Sequence, residues 1–252
     1  MSTDALPLLS CHGLTRRFGG LTAVADVSLG FALGQVHAVI GTNGAGKSTL
    51  INMLSGEMPA SAGRITLAGQ DITAWPQARR ARAGVGRSYQ RTTLFPEFTV
   101  FENCRLSAQA AHARPWALWE PAARCSGSGR IANQALAAAG LSDAAGRTAG
   151  TLSHGGKRQL EIAMCLATQP RVLLLDEPLA GMGAEETERM LALLATLKAG
   201  HAVLLVEHDM DAVFRIADRI TVMVNGEVIA SDLPGAIRSN AAVQLAYLGE
   251  QH

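Results

Sequence analysis

Three stretches of this chain are dense apolar runs: Val36–Ile40, which is rich in β-branched residues, Val172–Leu175 and Ala202–Val206. Each is cut off sharply, the first by Gly41, the second by Asp176-Glu177 and the third by Glu207-His208-Asp209. Continuous apolar runs of this length predict strands buried on both faces, as in a parallel sheet. Between them the period changes. Ser48–Leu54 reads as a helix, and Ala184–Lys198 as a second with Met190, Leu193, Leu194 and Leu197 along one core-facing stripe. Ile220–Val224 and Glu227–Ala230 flank Asn225-Gly226, the turn dipeptide of a β-hairpin. Residues up to about 90 read as an antiparallel β edge joined to the first buried strand and helix, and 91–165 as helical stretches broken by loops. Strands alternating with helices place the chain in the α/β class.

The first run leads into Gly41-Thr42-Asn43-Gly44-Ala45-Gly46-Lys47-Ser48-Thr49. Glycines at this spacing let consecutive backbone N–H groups turn toward one point, at the positive end of the following helix. That is a phosphate cradle of the Gly-x4-Gly-Lys-Ser type. Lys47 is expected to reach the β- and γ-phosphates and Ser48 to ligate Mg²⁺, with Thr49 capping or packing the helix start.

The second run delivers two carboxylates at a strand end. Asp176 is suited to hold Mg²⁺ through water, and Glu177 to orient or deprotonate an attacking water. The third run delivers His208, placed to reach a γ-phosphate and align Glu177. Gln90, closing Gly86-Arg87-Ser88-Tyr89, is a candidate sensor of Mg²⁺ and γ-phosphate. The order of these parts, with Phe18 in Leu14-Thr15-Arg16-Arg17-Phe18-Gly19 before them and Leu152-Ser153-His154-Gly155-Gly156 among them, resembles an ABC transporter ATPase subunit over essentially the whole chain.

The resemblance implies a phosphate-loop ABC ATPase fold: one domain over 1–252, with a RecA-like parallel sheet, an antiparallel β subdomain and an inserted helical subdomain. Residues 1–90 and 166–252 would form the nucleotide-binding core with its β subdomain, and 91–165 the helical insertion. It further implies ATP hydrolysis with Mg²⁺, adenine stacking on Phe18, and Ser153 and Gly155 gripping the γ-phosphate of ATP held by a second ATPase subunit, in a homo- or heterodimer. Transmembrane permease subunits, and indirectly a periplasmic solute-binding protein, would be partners at the cytoplasmic face of the inner membrane. Thr42 stands where such loops usually have proline, Gly156-Lys157 where Gln or Glu followed by Gln is more common, and Leu179–Gly183 lacks a customary aspartate.

Within that family, Arg87-Ser88-Tyr89-Gln90-Arg91-Thr92, Leu94-Phe95-Pro96, Leu160–Met164, Asp176–Met182, Val206–Met210 and Ala246–Glu250 resemble the larger ATPase of branched-chain amino acid importers. Related systems carry urea and short amides. An ATPase of lipopolysaccharide export, a soluble ABC protein without a permease, and a degenerate nucleotide sensor are the rival readings.

Composition narrows the rest. A net charge of +1 gives no basic footprint for nucleic acid. Cys11, Cys104, Cys125 and Cys165 are scattered without metal spacing, as suits free thiols in a reducing compartment. No apolar stretch reaches membrane-spanning length, and the first residues carry no secretory pattern. Trp116 and Trp119, between Pro115 and Pro121, either pack on the helical insertion or form an exposed anchor. Ser126–Gly129 reads as a flexible turn, and Lys157-Arg158 as a solvated helix face.

Overall fold

The computed structural model describes residues 7–89, 94–112 and 126–248. In chain order the elements are β1 (Leu9–Phe18), β2 (Leu21–Phe31), β3 (Val36–Gly41), α1 (Lys47–Ser55), β4 (Ala62–Leu67), β5 (Gln70–Asp71), α2 (Gln77–Arg82) and β6 (Val85–Arg87). There follow α3 (Val100–His112), α4 (Ser126–Ala138), α5 (His154–Leu166), β7 (Val172–Asp176), α6 (Ala184–Leu197), β8 (Ala202–Val206), α7 (Met210–Ile216), β9 (Arg219–Val224), β10 (Glu227–Asp232), α8 (Pro234–Arg238) and α9 (Ala241–Leu248).

Two sheets organise them. A six-stranded sheet has the order β10-β9-β3-β8-β7-β6, and all its pairings are parallel except the β9–β10 hairpin. A four-stranded antiparallel sheet, β2-β1-β4-β5, lies against α1. The three apolar runs are the adjacent central strands β3, β8 and β7, and every residue of β7 and β8 is buried. Their side chains alternate between two layers. Val39, Leu174, Leu204 and Val206 face α1 and the antiparallel sheet with Leu9, Val24 and Phe31. Leu173, Leu175, Val203 and Leu205 face α5 and α6 with Ile162, Met190 and Leu194. Burial on both faces explains why these runs are apolar, and the one polar residue within them, His37 of β3, has both ring nitrogens in contact with Gly30 and Thr221.

The helices α3, α4 and α5 share their own core around Val100, Cys104, Leu136 and Leu160. Here the expected flexible turn at Ser126–Gly129 is corrected: these residues open α4. Ser128 is buried, and a Cβ on Gly129 would lie 3.8 Å from the Phe101 ring, so tertiary packing against α3 overrides the poor helix propensity of the Ser-Gly run. Among the described residues, no helix is long and apolar enough to cross a membrane.

The loop between β3 and α1 carries backbone that only glycine tolerates. Gly41 ends β3 with φ 155°, where a Cβ would meet the Met223 carbonyl at 2.1 Å. Gly46 has φ 96°, and a Cβ there would meet the Ala23 carbonyl at 2.3 Å. The hairpin turn Asn225-Gly226 then ties the same loop to the antiparallel sheet: Gly226 N–H donates to the Ala45 carbonyl at 3.1 Å and Ala25 N–H to the Gly226 carbonyl at 2.9 Å. Through these contacts β2 and β9 set the height of the glycine loop above the sheet.

Candidate functional site

The carboxyl ends of β3, β7 and β8 lie side by side, and the predicted phosphate, carboxylate and histidine residues leave the sheet there. This is where a parallel α/β sheet holds its ligands. The loop after β3 leads into α1 with Gly46 at the N-cap position, where no side chain caps the helix, and Thr49 stands in the first turn. Lys47 is buried and its Nζ donates to the Gly41 and Thr42 carbonyls, both at 2.8 Å. The lysine is therefore folded over its own loop. Thr42 contributes its carbonyl, which also accepts from Ala45 N–H at 3.1 Å, so the missing proline removes no loop contact that a side chain would supply.

Asp176, the last residue of β7, has a side chain only 4% exposed. Burial pushes its carboxyl above the ordinary range, opposed chiefly by the Arg87 guanidinium. Its Oδ1 is buried without a hydrogen-bond partner. A sealed carboxylate oxygen with nothing to bond, in the field of Lys47 of the phosphate loop, fits the hard-oxygen, water-rich coordination of Mg²⁺.

Glu177 follows in the left-handed region at φ 48°. For a non-glycine residue this is a strained conformation of the sort found at functional sites. Its N–H donates to the Val206 carbonyl at 2.9 Å, which pins the turn to β8. His208 Nδ1 lies 3.9 Å from Glu177 Oε1, with the histidine largely open to solvent. The structure thus brings these two residues together from separate strands.

Glu207, which carries no role in the sequence reading, supplies the scaffold between them. It is buried, and its Oε1 accepts from Leu179 N–H at 2.8 Å while its Oε2 accepts from His208 N–H at 3.2 Å. Burial raises its pKa, and the two N–H donors pull it back. Its only sequence signal is adjacency to His208.

Away from this cluster, Phe18 ends β1, 42% exposed, with the Arg16 guanidinium 4.7 Å from its ring centre. An exposed aromatic at a strand end is available for stacking rather than committed to the core. Ser153 is the N-cap of α5, its Oγ accepting from Gly156 N–H at 3.1 Å, and both Ser153 and Gly155 touch Glu186. Gln90, Trp116, Trp119 and Cys125 lie outside the described residues, as does the end of the chain from Gly249.

Arg158 departs from the solvated face expected of Lys157-Arg158. It is buried, ion-paired with Glu161 at 2.8 Å and donating to the Tyr89 carbonyl at 3.0 Å. One position along a helix is a turn of about 100°, enough to carry the second of two adjacent cations onto the packed side of α5.

The chain matches the ABC transporter family over residues 24–180. It is 44% identical to a high-affinity branched-chain amino acid transport ATP-binding protein of Pseudomonas aeruginosa, over 97% of this chain and 98% of that one. The corresponding protein of Escherichia coli is 42% identical over the same shares. A crystal structure of a nucleotide-free ATP-binding cassette from an ABC transporter superposes with a TM-score of 0.86 at 30% identity, covering 95% of this chain and 98% of that one. A second cassette, in an ADP conformation, gives a TM-score of 0.85 at 30% identity, covering 97% and 100%. Since the likeness runs through both sheets and the helical layer, and not through the phosphate loop alone, the chain belongs to the ABC transporter family as an ATP-hydrolysing subunit.

Proposed function

We propose that this chain powers a membrane importer for branched-chain amino acids or similar small polar solutes, working as one of a pair of ATPase subunits. The observation that carries the ATPase chemistry is the gathering of Lys47, Asp176, Glu177 and His208 at the carboxyl ends of three adjacent parallel strands. Identities of 44% and 42% to proteins named for branched-chain amino acid transport support the solute class.

In this reading the N–H groups from Asn43 to Thr49 hold the ATP phosphates, Lys47 leaves the Gly41 and Thr42 carbonyls for the β- and γ-phosphates, and Phe18 stacks on adenine. Ser48, Asp176 and Gln90 would hold Mg²⁺, which when bound neutralises charge on the phosphoryl oxygens. Glu177 orients the attacking water and takes its proton, and His208 steadies both the carboxylate and the γ-phosphate. Ser153 and Gly155 donate to the γ-phosphate of ATP on the partner subunit, so the pair closes only around nucleotide. Residues 91–165 act as the helical lever against permease subunits at the cytoplasmic membrane face, with a periplasmic solute-binding protein beyond them. Residues 1–90 and 166–252 form the nucleotide-binding core.

The test is capture of Glu177→Gln protein, held in ATP, from solubilised native membranes, followed by identification of what remains bound and by ATPase assay. The expected result is two permease subunits with a second ATPase, and turnover slowed by roughly 10²–10⁴, the scale of a lost general base. Ribosomal proteins or a lipopolysaccharide export permease would overturn the importer reading. Normal hydrolysis by Glu177→Gln would overturn the assignment of Glu177.

A further inference from the structure

The Ser153 hydroxyl donates to Glu186 Oε1 at 2.9 Å, and Gly155 N–H donates to the same oxygen at 3.3 Å. Glu186 belongs to the first turn of α6, thirty-three residues along the chain, so this contact is tertiary. The fit is close. A Cβ on Gly155 would meet Glu186 Cδ at 2.6 Å and Oε1 at 2.7 Å, so the carboxylate occupies the space that the glycine leaves open. The Ser153 bond, ahead of every other cause, holds the Glu186 carboxyl below the usual range. At neutral pH it is an anion.

These two donors are the ones the proposed mechanism assigns to the γ-phosphate of the partner's ATP. A serine hydroxyl has one proton to give, and two anions at hydrogen-bond distance of the same donors repel each other. Glu186 and that phosphate therefore exclude one another. Once displaced, the carboxylate has a counter-charge within reach, since Arg189 already interacts with it.

We propose that Glu186 is an autoinhibitory placeholder: its carboxylate fills the Ser153–Gly155 cradle in the separated subunit and must be displaced by the incoming γ-phosphate before two ATPase subunits close. The contact thus sets a threshold that nucleotide has to overcome, and it stops the cradle from capturing other anions. The inference rests on the reading that Ser153 and Gly155 contact the partner's ATP.

The experiment uses the intact transporter complex captured through this chain, with hydrolysis followed against ATP concentration. Glu186→Gln keeps the side-chain length and removes the charge; Glu186→Ala removes the contact. Both are expected to lower the half-saturating ATP concentration by about two- to fivefold, the scale of an exposed ionic contact. An unchanged or raised half-saturation in both variants, with Ser153→Ala raising it, would overturn the placeholder and leave the cradle assignment standing. No change in Ser153→Ala would overturn the cradle assignment itself. A double-mutant cycle separates the placeholder from a general effect on α6: if Glu186 acts through the cradle, Glu186→Gln has a smaller effect in the Ser153→Ala background than alone. Equal effects in the two backgrounds count against it.

Discussion

The Arg87 guanidinium approaches the Asp176 carboxylate to 3.7 Å, with side chains 8% and 4% exposed. Arg87 is itself tied to α1 and the segment after it, through Ser55 Oγ at 2.8 Å, Glu57 Oε2 at 2.6 Å and Asn52 Oδ1 at 2.6 Å. One side chain thus joins the end of β6, the helix that begins at the phosphate loop, and the acidic end of β7. The same guanidinium stands over the Tyr89 ring at 4.9 Å, next to the segment containing Gln90.

Removing that side chain leaves Asp176 without its nearest opposing charge and Asn52 without its guanidinium donor. Arg87→Ala should lower stability by about 3 kcal/mol, as when one partner of a buried pair is lost. Arg87→Lys should recover less than half of it, because an ammonium cannot reproduce a fork that bonds several oxygens at once. Urea unfolding at neutral pH measures both. A loss below about 0.5 kcal/mol for Arg87→Ala would place it with ordinary surface substitutions and dismiss the bracing role.

His37 gives a pH dependence whose sign is fixed by burial. Its ring lies between the sheets, with Nδ1 3.2 Å from the Gly30 carbonyl and Nε2 2.7 Å from Thr221 Oγ1. Burial lowers its pKa from 6.5 to about 4. The unfolded chain therefore takes up the proton first as pH falls. His37's contribution is intact above about pH 6.5 and drains away as pH drops toward 4, by a total of about 3 kcal/mol. Stability measured in urea between pH 7 and 4 should fall along this window, and His37→Gln should flatten that part of the curve. An identical slope in the variant would assign the acid sensitivity to other groups.

How much of this was readable in advance depends on the range of the interaction. The phosphate loop, Asp176, Glu177 and His208 sit at the ends of apolar runs, and a run that must be buried on both faces announces where its strand stops. The hairpin at Asn225-Gly226 was equally plain, because positive φ at both turn residues demands such a dipeptide. Contacts between distant segments leave no such trace. Arg158 read as solvated because nothing in Lys157-Arg158 reveals that α5 has packed faces on more than one side. Glu186 carries no role in the reading of the sequence, and its distance to Ser153 is what distinguishes it from Glu185. Arg87 was visible as part of a family-like string, without a chemical reason for being arginine.

Gly46 tests how tightly the antiparallel sheet holds the phosphate loop. Its left-handed backbone and the Ala23 carbonyl at 2.3 Å from a hypothetical Cβ leave no room for a side chain. Gly46→Ala should push β2 away from the loop and tilt the N–H groups that face phosphate. The expected result is a lowered melting temperature and no further rise on adding ATP with Mg²⁺. A variant that melts normally and gains stability with ATP as the parent does would mean the loop adapts without help from β2.

Phe18 separates two readings of an aromatic by opposite patterns. A core phenylalanine truncated to alanine costs about 3–5 kcal/mol and leaves nucleotide affinity unaffected where the protein still folds. A stacking platform does the reverse, since base–aromatic stacking is worth about 1–3 kcal/mol of binding. At 42% exposure, with Arg16 as its ring partner, Phe18 has little core packing to lose. Phe18→Ala should therefore melt close to the parent and bind ATP about tenfold more weakly, and Phe18→Tyr should restore most of the affinity by retaining the π face. A large drop in stability with unchanged ATP binding would return Phe18 to the core and require another platform for adenine.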